Sequence, residues 1–315
     1  MGRAILSLLG QRLVQAGLVA WVVGSLTYLL TRALPGDMSF RIAAGRYGYE
    51  QVNAEAAAAV QQELGLDQSP LAAYFQWLMD LASFDLGRSL VSGETVVQEL
   101  SHQLGHSLSL ALTAVVMALV LGLPLGLASG LRPGRWLDRV SLALALGLRS
   151  LPPFVVGIAL VVLFSLTLHW LPAAGHGSLS HLWLPSLALG LGLAAVSSRV
   201  ARNAMADVAG SDYYAFSRLK GLSGWQTLRR HGLRNLSVPV VAFLGVQLVY
   251  LIEGVVVIES LFAWPGIGHA LVHAVVARDV PMIQGTALVL GLGFVLLNTL
   301  VDIATLLLDP RRRLA

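Results

Sequence analysis

Apolar residues run almost unbroken through six stretches of this chain, at 13–30, 108–130, 141–166, 183–198, 238–258 and 282–308, and the polar residues gather between them. A helix needs about 20 residues to cross a hydrocarbon core of roughly 30 Å, and these stretches are of that order. The pattern predicts an all-α integral membrane protein with six transmembrane helices. The first stretch follows Arg3 and Arg12, is longer than the apolar core of a secretory signal, and has no small-residue cleavage site after it, so it is expected to stay as the first helix.

The most informative polar interruption is 199–239, RVARNAMADVAGSDYYAFSRLKGLSGWQTLRRHGLRNLSVP. Its pattern predicts a short helix over 213–220, opened by Asp207 or Asp212 and closed by Gly221 or Gly224, where glycine supplies positive φ. The other long interruption, 35–103, carries amphipathic patterns that predict helices at 55–66 and 71–82, the second with Tyr74, Phe75 and Trp77 at a spacing suited to a membrane interface. That segment is expected either to pack on the bundle as a lid or to dock an external partner. The organisation expected is an N-terminal helix (1–34), an external segment (35–103), a transmembrane domain (104–310) containing the 199–239 loop, and a basic tail (311–315).

Composition sharpens this picture. Hydrophobic residues make up 56% of the 315 and charged residues 12%, giving a mean hydropathy of +0.73. No cysteine is present, so disulfides, thiol redox chemistry and cysteine-bound metals are excluded. The 32 glycines suit helices whose backbones approach closely in lipid. Once the six spans are drawn, fifteen of the 21 Lys and Arg residues fall on one side and five on the other. The positive-inside rule makes the first side cytoplasmic, with both termini inside a multi-pass protein of the cytoplasmic (inner) membrane. The net charge of +4 therefore reports topology. Membrane lipid is an expected partner and nucleic acid is not, because the arginines are dispersed among loops beside spans.

The ionisable residues Arg149 and Glu253 fall inside predicted spans, about 12 Å and 22 Å along their helices from the cytoplasmic edge. Buried in a membrane, such groups mark either a pathway or an internal charge pair. Two histidine pairs, His102/His106 and His269/His273, have the i, i+4 spacing that places both imidazoles on one helix face, a geometry suited to nickel or zinc or, more simply, to histidines at home at a membrane interface.

The 199–239 loop resembles the cytoplasmic loop of ABC importer permeases of the dipeptide/oligopeptide/nickel family. The matching positions are Asp212, Tyr213, Lys220, Gly221, Leu222, His231, Leu233, Arg234, Asn235 and Pro239, with Ser217 and Leu219 standing where the family usually has alanine. Further landmarks recur in order: Leu34-Pro35-Gly36-Asp37, Asp85-Leu86-Gly87-Arg88-Ser89, Leu151-Pro152-Pro153-Phe154, the run Glu259 to Gly268, and Asp302 with Asp309-Pro310-Arg311. The resemblance implies a type I ABC importer transmembrane domain. It implies that Asp212, Tyr213, Lys220, Gly221, Leu222, His231, Arg234 and Asn235 form the loop that couples an ATPase to the membrane helices. Implied partners are a second permease subunit, more in keeping with a heterodimer than a homodimer, two ABC ATPase subunits and an extracytoplasmic substrate-binding protein.

The one lysine, Lys220, is followed by Gly221, so no Walker A motif exists in the chain. ATP and magnesium are then expected on the partner subunits, with no cofactor and no catalytic residue here. Arg149 and Glu253 become candidates for the translocation pathway. The short 167–182 loop and the overall length resemble nickel-type members, and with the histidine pairs they lead to nickel or a small metal chelate as the expected cargo, with di- or oligopeptides as the alternative. An ion-coupled carrier with Arg149, Glu253 and Asp302 as a relay is a competing class, against which the lack of any internal repeat counts. A non-transporting scaffold or receptor is another.

Overall fold

The computed structural model describes residues 2–33, 36–48, 50, 52–64, 69–83 and 85–308. Leu34, Pro35, Asp309-Pro310-Arg311, the 311–315 tail and the last residues of the 55–66 helix expectation lie outside the described residues, as do the side chains of His231, Arg234, Asn235 and Glu253. The elements run α1 (Gly2–Ala33), α2 (Met38–Tyr47), α3 (Ala54–Leu64), α4 (Pro70–Ala82), α5 (Val96–Gly130), α6 (Trp136–Ser150), α7 (Pro153–Leu160), α8 (Ser180–Ala209), α9 (Asp212–Leu219), α10 (Gly224–Thr227), α11 (Leu233–Leu261), α12 (Ile267–Ala277) and α13 (Val280–Leu308). Wider π-turns extend α7 over Val161–Thr167 and lead into α11 over Leu228–Gly232. No strand occurs among the described residues, only an isolated bridge between Arg88 and Thr95.

Four helices, α1, α5, α8 and α13, are long and apolar enough to cross a membrane, and α6 with α7 makes a fifth if that bent pair is one span. The expected stretch at 238–258 lies within the 29-residue α11. The expectation of one continuous helix over 141–166 is corrected: the chain turns by 103° between α6 and α7. Leu151 is extended (φ −97°, ψ 132°), as a residue before proline prefers, Pro152 follows at ψ 146°, and Pro153 opens α7 where its missing N–H costs nothing. Residues 259–281 contain α12, and 35–53 contains α2.

Contacts divide the chain into two compact units along lines that differ from the expected domains. The first comprises Met1–Gly10, Leu108–Trp264 and Leu296–Ala315, the second Gln11–Ser107 and Pro265–Val295. In the first unit the core follows helical spacing, with Leu110, Ala114 and Ala118 on α5, Leu184, Ala188 and Leu189 on α8, and Leu251, Val255 and Ile258 on α11, joined by Phe262 and Trp264. Burial of side chains this small works because α5 and α8 approach closely. A methyl group added at Gly122, Gly126 or Gly130 would overlap the carbonyl oxygens of Ala194, Ser198 and Arg202 in turn, so one face of α5 meets α8 backbone to backbone.

In the second unit, Val96 and Leu100 of α5 pack with Ile267 and Ala274 of α12 and Met282 and Ile283 of α13, while Ile42 and Ala43 pack on Val60. The Asp85–Ser89 landmark has a structural reason. Asp85 accepts the Gly87 N–H (2.8 Å), Gly87 takes φ +74°, and Ser89 Oγ donates to Asp279, which also accepts the Leu90 N–H (3.1 Å) and the Met282 N–H (3.3 Å) at the start of α13. Arg46 bridges Glu63 (2.7 Å) and the Leu90 carbonyl (2.6 Å), and its Glu63 partner holds the guanidinium pKa above its ordinary value. Tyr74 and Trp77 of α4 pack against Tyr28 of α1, and the Tyr74 hydroxyl meets Ser25 Oγ at 2.8 Å. Tyr74 and Trp77 thus fasten α4 to α1.

Candidate functional site

The break between α6 and α7 opens a cavity of about 340 Å³ in the first unit. Its wall is formed by Arg149 at the end of α6, by Pro152, Pro153 and Phe154 at the break, by Leu189, Gly192 and Leu193 of α8, and by Gln247, Leu251, Gly254 and Val257 of α11. This volume falls within the roughly 300–1,000 Å³ typical of small-molecule sites. Arg149 belongs on a helix end, where a cation complements the carbonyl-rich terminus. Since α6 begins at Trp136, Arg149 lies ~20 Å along it. Gln247, which sequence reasoning passed over, is 5% exposed, and its Nε2 donates to the Leu193 carbonyl (3.1 Å) and to Ser197 Oγ (3.3 Å). The structure therefore brings Arg149 to the cavity. Glu253 lies on α11 between the lining residues Leu251 and Gly254, with its side chain outside the described residues. Asp302, of the competing relay, is not among the residues lining the cavity.

A second charged cluster was not anticipated. Asp138, in the first turn of α6 and 6% exposed, accepts from Arg202 Nε (3.0 Å) and Nη2 (2.6 Å), from Arg199 Nη2 (3.3 Å) and from the Gly134 N–H (2.9 Å). Arg199 also donates to Ser141 Oγ (3.1 Å), which shares a hydrogen bond with Ser129 Oγ. The cluster ties the ends of α5, α6 and α8 together. One acidic residue set among Arg132, Arg135 and Arg139, with arginines at 199 and 202 on another helix, was the available signal.

The 199–239 loop folds as a two-faced knob. α9 begins at Asp212, with Ser211 rather than Asp207 or Asp212 at the N-cap; Asp207 belongs to α8. It closes at Gly221, whose φ is +83°. There the Leu222 N–H reaches the Ser217 carbonyl (3.3 Å) and the Gly221 N–H the Arg218 carbonyl (3.0 Å), the paired bonds of a glycine-terminated helix. Gly224 instead opens α10, behind a capping box of Ser223 and Gln226. The inner face is anchored by Tyr214, which packs with Ala201, Met205, Val208, Leu228 and Val240. The outer face leaves Tyr213, Phe216 and Leu219 in the open, Leu219 at 84% exposure, and Lys220 Nζ sits 4.6 Å from the Phe216 ring. A row of large apolar side chains on a polar loop is a surface shaped for contact.

The histidine pairs lie in the second unit. The rings of His102 and His106 meet edge to face with centroids 5.0 Å apart, and those of His269 and His273 at 4.6 Å. No group of three or more His, Cys, Asp or Glu residues that could hold a metal occurs among the described residues. Burial, with the neighbouring His273, keeps the His269 imidazole below its ordinary pKa. The spacing produced ring pairs; it did not assemble a metal centre among the described residues.

Polytopic helices, a cavity at a helix break and an exposed apolar knob on the loop between α8 and α11 define a membrane permease. The family described as the binding-protein-dependent transport system inner membrane component matches residues 122–314, and the chain belongs to it. It is an ABC importer permease subunit of the dipeptide/oligopeptide group. Among curated proteins it is similar to the glutathione transport system permease protein GsiC of Escherichia coli O6:H1, at 36% identity over 293 residues (93% of this chain, 94% of the relative). It is likewise similar to the proteins of that name from Salmonella choleraesuis and Salmonella typhi, each at 37% over 292 residues with the same coverage of both chains.

Proposed function

We propose that this chain forms part of the membrane pathway through which a binding-protein-dependent ABC importer carries short peptides or a peptide-like molecule such as glutathione into the cytoplasm. The observation that carries this reading is the 36–37% identity, over 93% of the chain, to permeases named for glutathione. The cavity fits it in size, at about 340 Å³ with a mostly apolar wall. Nickel or a small metal chelate, expected from the loop length and the histidine pairs, gives way to the peptide alternative.

In this account an extracytoplasmic binding protein delivers cargo, two ATPase subunits hold ATP and magnesium, and a second permease subunit completes the pathway. The α9 knob, with Asp212, Tyr213, Lys220, Gly221 and Leu222, seats in the ATPase and passes its closure to α8 and α11. His231, Arg234 and Asn235 extend that contact towards α11. Both termini then lie in the cytoplasm, the side to which the positive-inside rule assigns the basic loops. No residue of this chain performs chemistry.

Uptake of radiolabelled glutathione and of radioactive nickel, by cells with and without this chain, tests the cargo. Chain-dependent glutathione uptake that unlabelled dipeptides reduce is expected. Chain-dependent uptake of nickel alone would contradict the proposal.

A further inference from the structure

Asp138, in the first turn of α6, carries a carboxylate that the rest of the first unit surrounds with donors. Arg202 approaches it side-on, with Nε on one oxygen (3.0 Å) and Nη2 on the other (2.6 Å), and Arg199 Nη2 (3.3 Å) and the Gly134 N–H (2.9 Å) add further bonds. Two parallel bonds from one planar guanidinium fix direction as well as distance. Arg199 and Arg202 stand at i, i+3 on α8, so both arms of the clamp leave one face of that helix. The same turns of α8 carry Ala201, Met205 and Val208, which hold Tyr214 and with it the inner face of α9. The Ser211 N–H reaches back to the Val208 carbonyl (3.1 Å), and the Ser211 carbonyl accepts the Ala215 N–H (3.1 Å), which ties the end of α8 to the start of α9. Clamp and knob are thus mounted on one stretch of helix.

At its other end, about 18 Å along from Asp138, α6 stops at Ser150. The chain there turns by 103° through Leu151 and Pro152, and Pro152, Pro153 and Phe154 line the cavity. A helix moves as a rod, whereas a few residues between helices absorb a change of direction. We infer that Asp138 is a positioning residue for transport: through Arg202 and Arg199 it makes α6 move with the part of α8 that carries α9, so that displacement of the knob reaches the helix break at the cavity. The inference rests on the coupling role proposed for α9 and extends it, because it gives the wall formed by α6 and α7 its own connection to the ATPase. Salt-bridge networks joining rigid helices are links along which coupling between distant sites can pass.

The test uses the complete transporter in proteoliposomes, with ATP inside and binding protein and labelled cargo outside, the label being whichever of glutathione and a dipeptide the native transporter accumulates. Cargo taken up and phosphate released are measured in the same vesicles, and their ratio is the readout. A variant that only folds less well lowers both quantities together and leaves the ratio unchanged. Asp138→Asn keeps the shape of the side chain but turns its amide N–H donors towards the donors of Arg202 or Gly134. Its ratio is expected to fall about tenfold, within the span usual for coupling between sites, while the vesicles go on releasing phosphate. Arg202→Lys keeps the charge and loses the paired bonds, so its ratio should fall to an intermediate value. Gly221→Pro in the same assay tests the coupling role of α9 separately. A fallen ratio in Gly221→Pro with native ratios in Asp138→Asn and Arg202→Lys would overturn the inference and leave the role of α9 standing, whereas a native ratio in Gly221→Pro would remove both. If Asp138→Asn does not assemble, Arg202→Lys decides alone, and a native ratio in it would overturn the inference.

Discussion

Arg202 and Arg149 stand in the same unit of the molecule and sit in different settings. Arg202 gives two bonds to a carboxylate that is 6% exposed, and Arg199 and the Gly134 backbone N–H complete the set around Asp138. Arg149 lies exposed on the wall of a cavity, among prolines, a phenylalanine ring and glycines. The first arginine is fixed by the protein and holds three helix ends together. The second is presented to a space large enough for a small molecule. What surrounds a guanidinium, more than its depth along a helix, separates these two settings.

The clamp and the cavity can be pulled apart by mutation. Asp138→Ala should have the largest effect, because it leaves two arginines facing a buried site without their carboxylate, at a cost of about 3–5 kcal/mol. Much lower yield and an earlier thermal transition of the purified chain in detergent are expected. Unchanged stability would show that the clamp is ornamental. Gly221→Pro comes next: proline cannot adopt φ +83° and has no N–H for the Arg218 carbonyl, a strain of about 1–3 kcal/mol confined to the end of α9. Here the chain should insert normally while ATP hydrolysis no longer drives uptake, and normal uptake would remove the coupling role from α9.

Arg149→Gln ranks third, with the chain still assembling and uptake of a dipeptide reduced roughly tenfold. If it unfolds the chain as Asp138→Ala does, the contrast between the two arginines collapses. Smallest is the double change His269→Ala and His273→Ala. With no metal cluster among the described residues, peptide uptake should stay within about twofold of native. A strict loss of nickel transport in that variant would instead revive a metal pathway.

Much of this was legible in the sequence. Asp212, Tyr213, Lys220 and Gly221 marked the short helix α9 and its end, since a glycine after a short amphipathic run is a local signal that needs no tertiary information. The apolar stretches likewise marked the helices, because length and composition suffice. The turn at Leu151-Pro152-Pro153 was visible as a motif yet sat inside an apolar stretch, and hydropathy has no sign for a 103° change of direction. Asp138 and Gln247 stayed hidden for a different reason. Their partners lie on other helices, at Arg199 and Arg202 for one and at Leu193 and Ser197 for the other, and only packing brings them together. For the histidine pairs, local spacing suggested a site, and no group of three or more ligating residues gathers there among the described residues.

The most direct measurement is uptake by the complete transporter, reconstituted in proteoliposomes with its ATPase and binding-protein partners, of radiolabelled glutathione, a dipeptide and nickel. It should be made with and without internal magnesium and ATP, and again after ionophores collapse every ion gradient. Accumulation of glutathione or the dipeptide that needs ATP and survives the ionophores is the predicted result. Accumulation that ignores ATP and disappears with the gradients, or that is confined to nickel, would contradict the account.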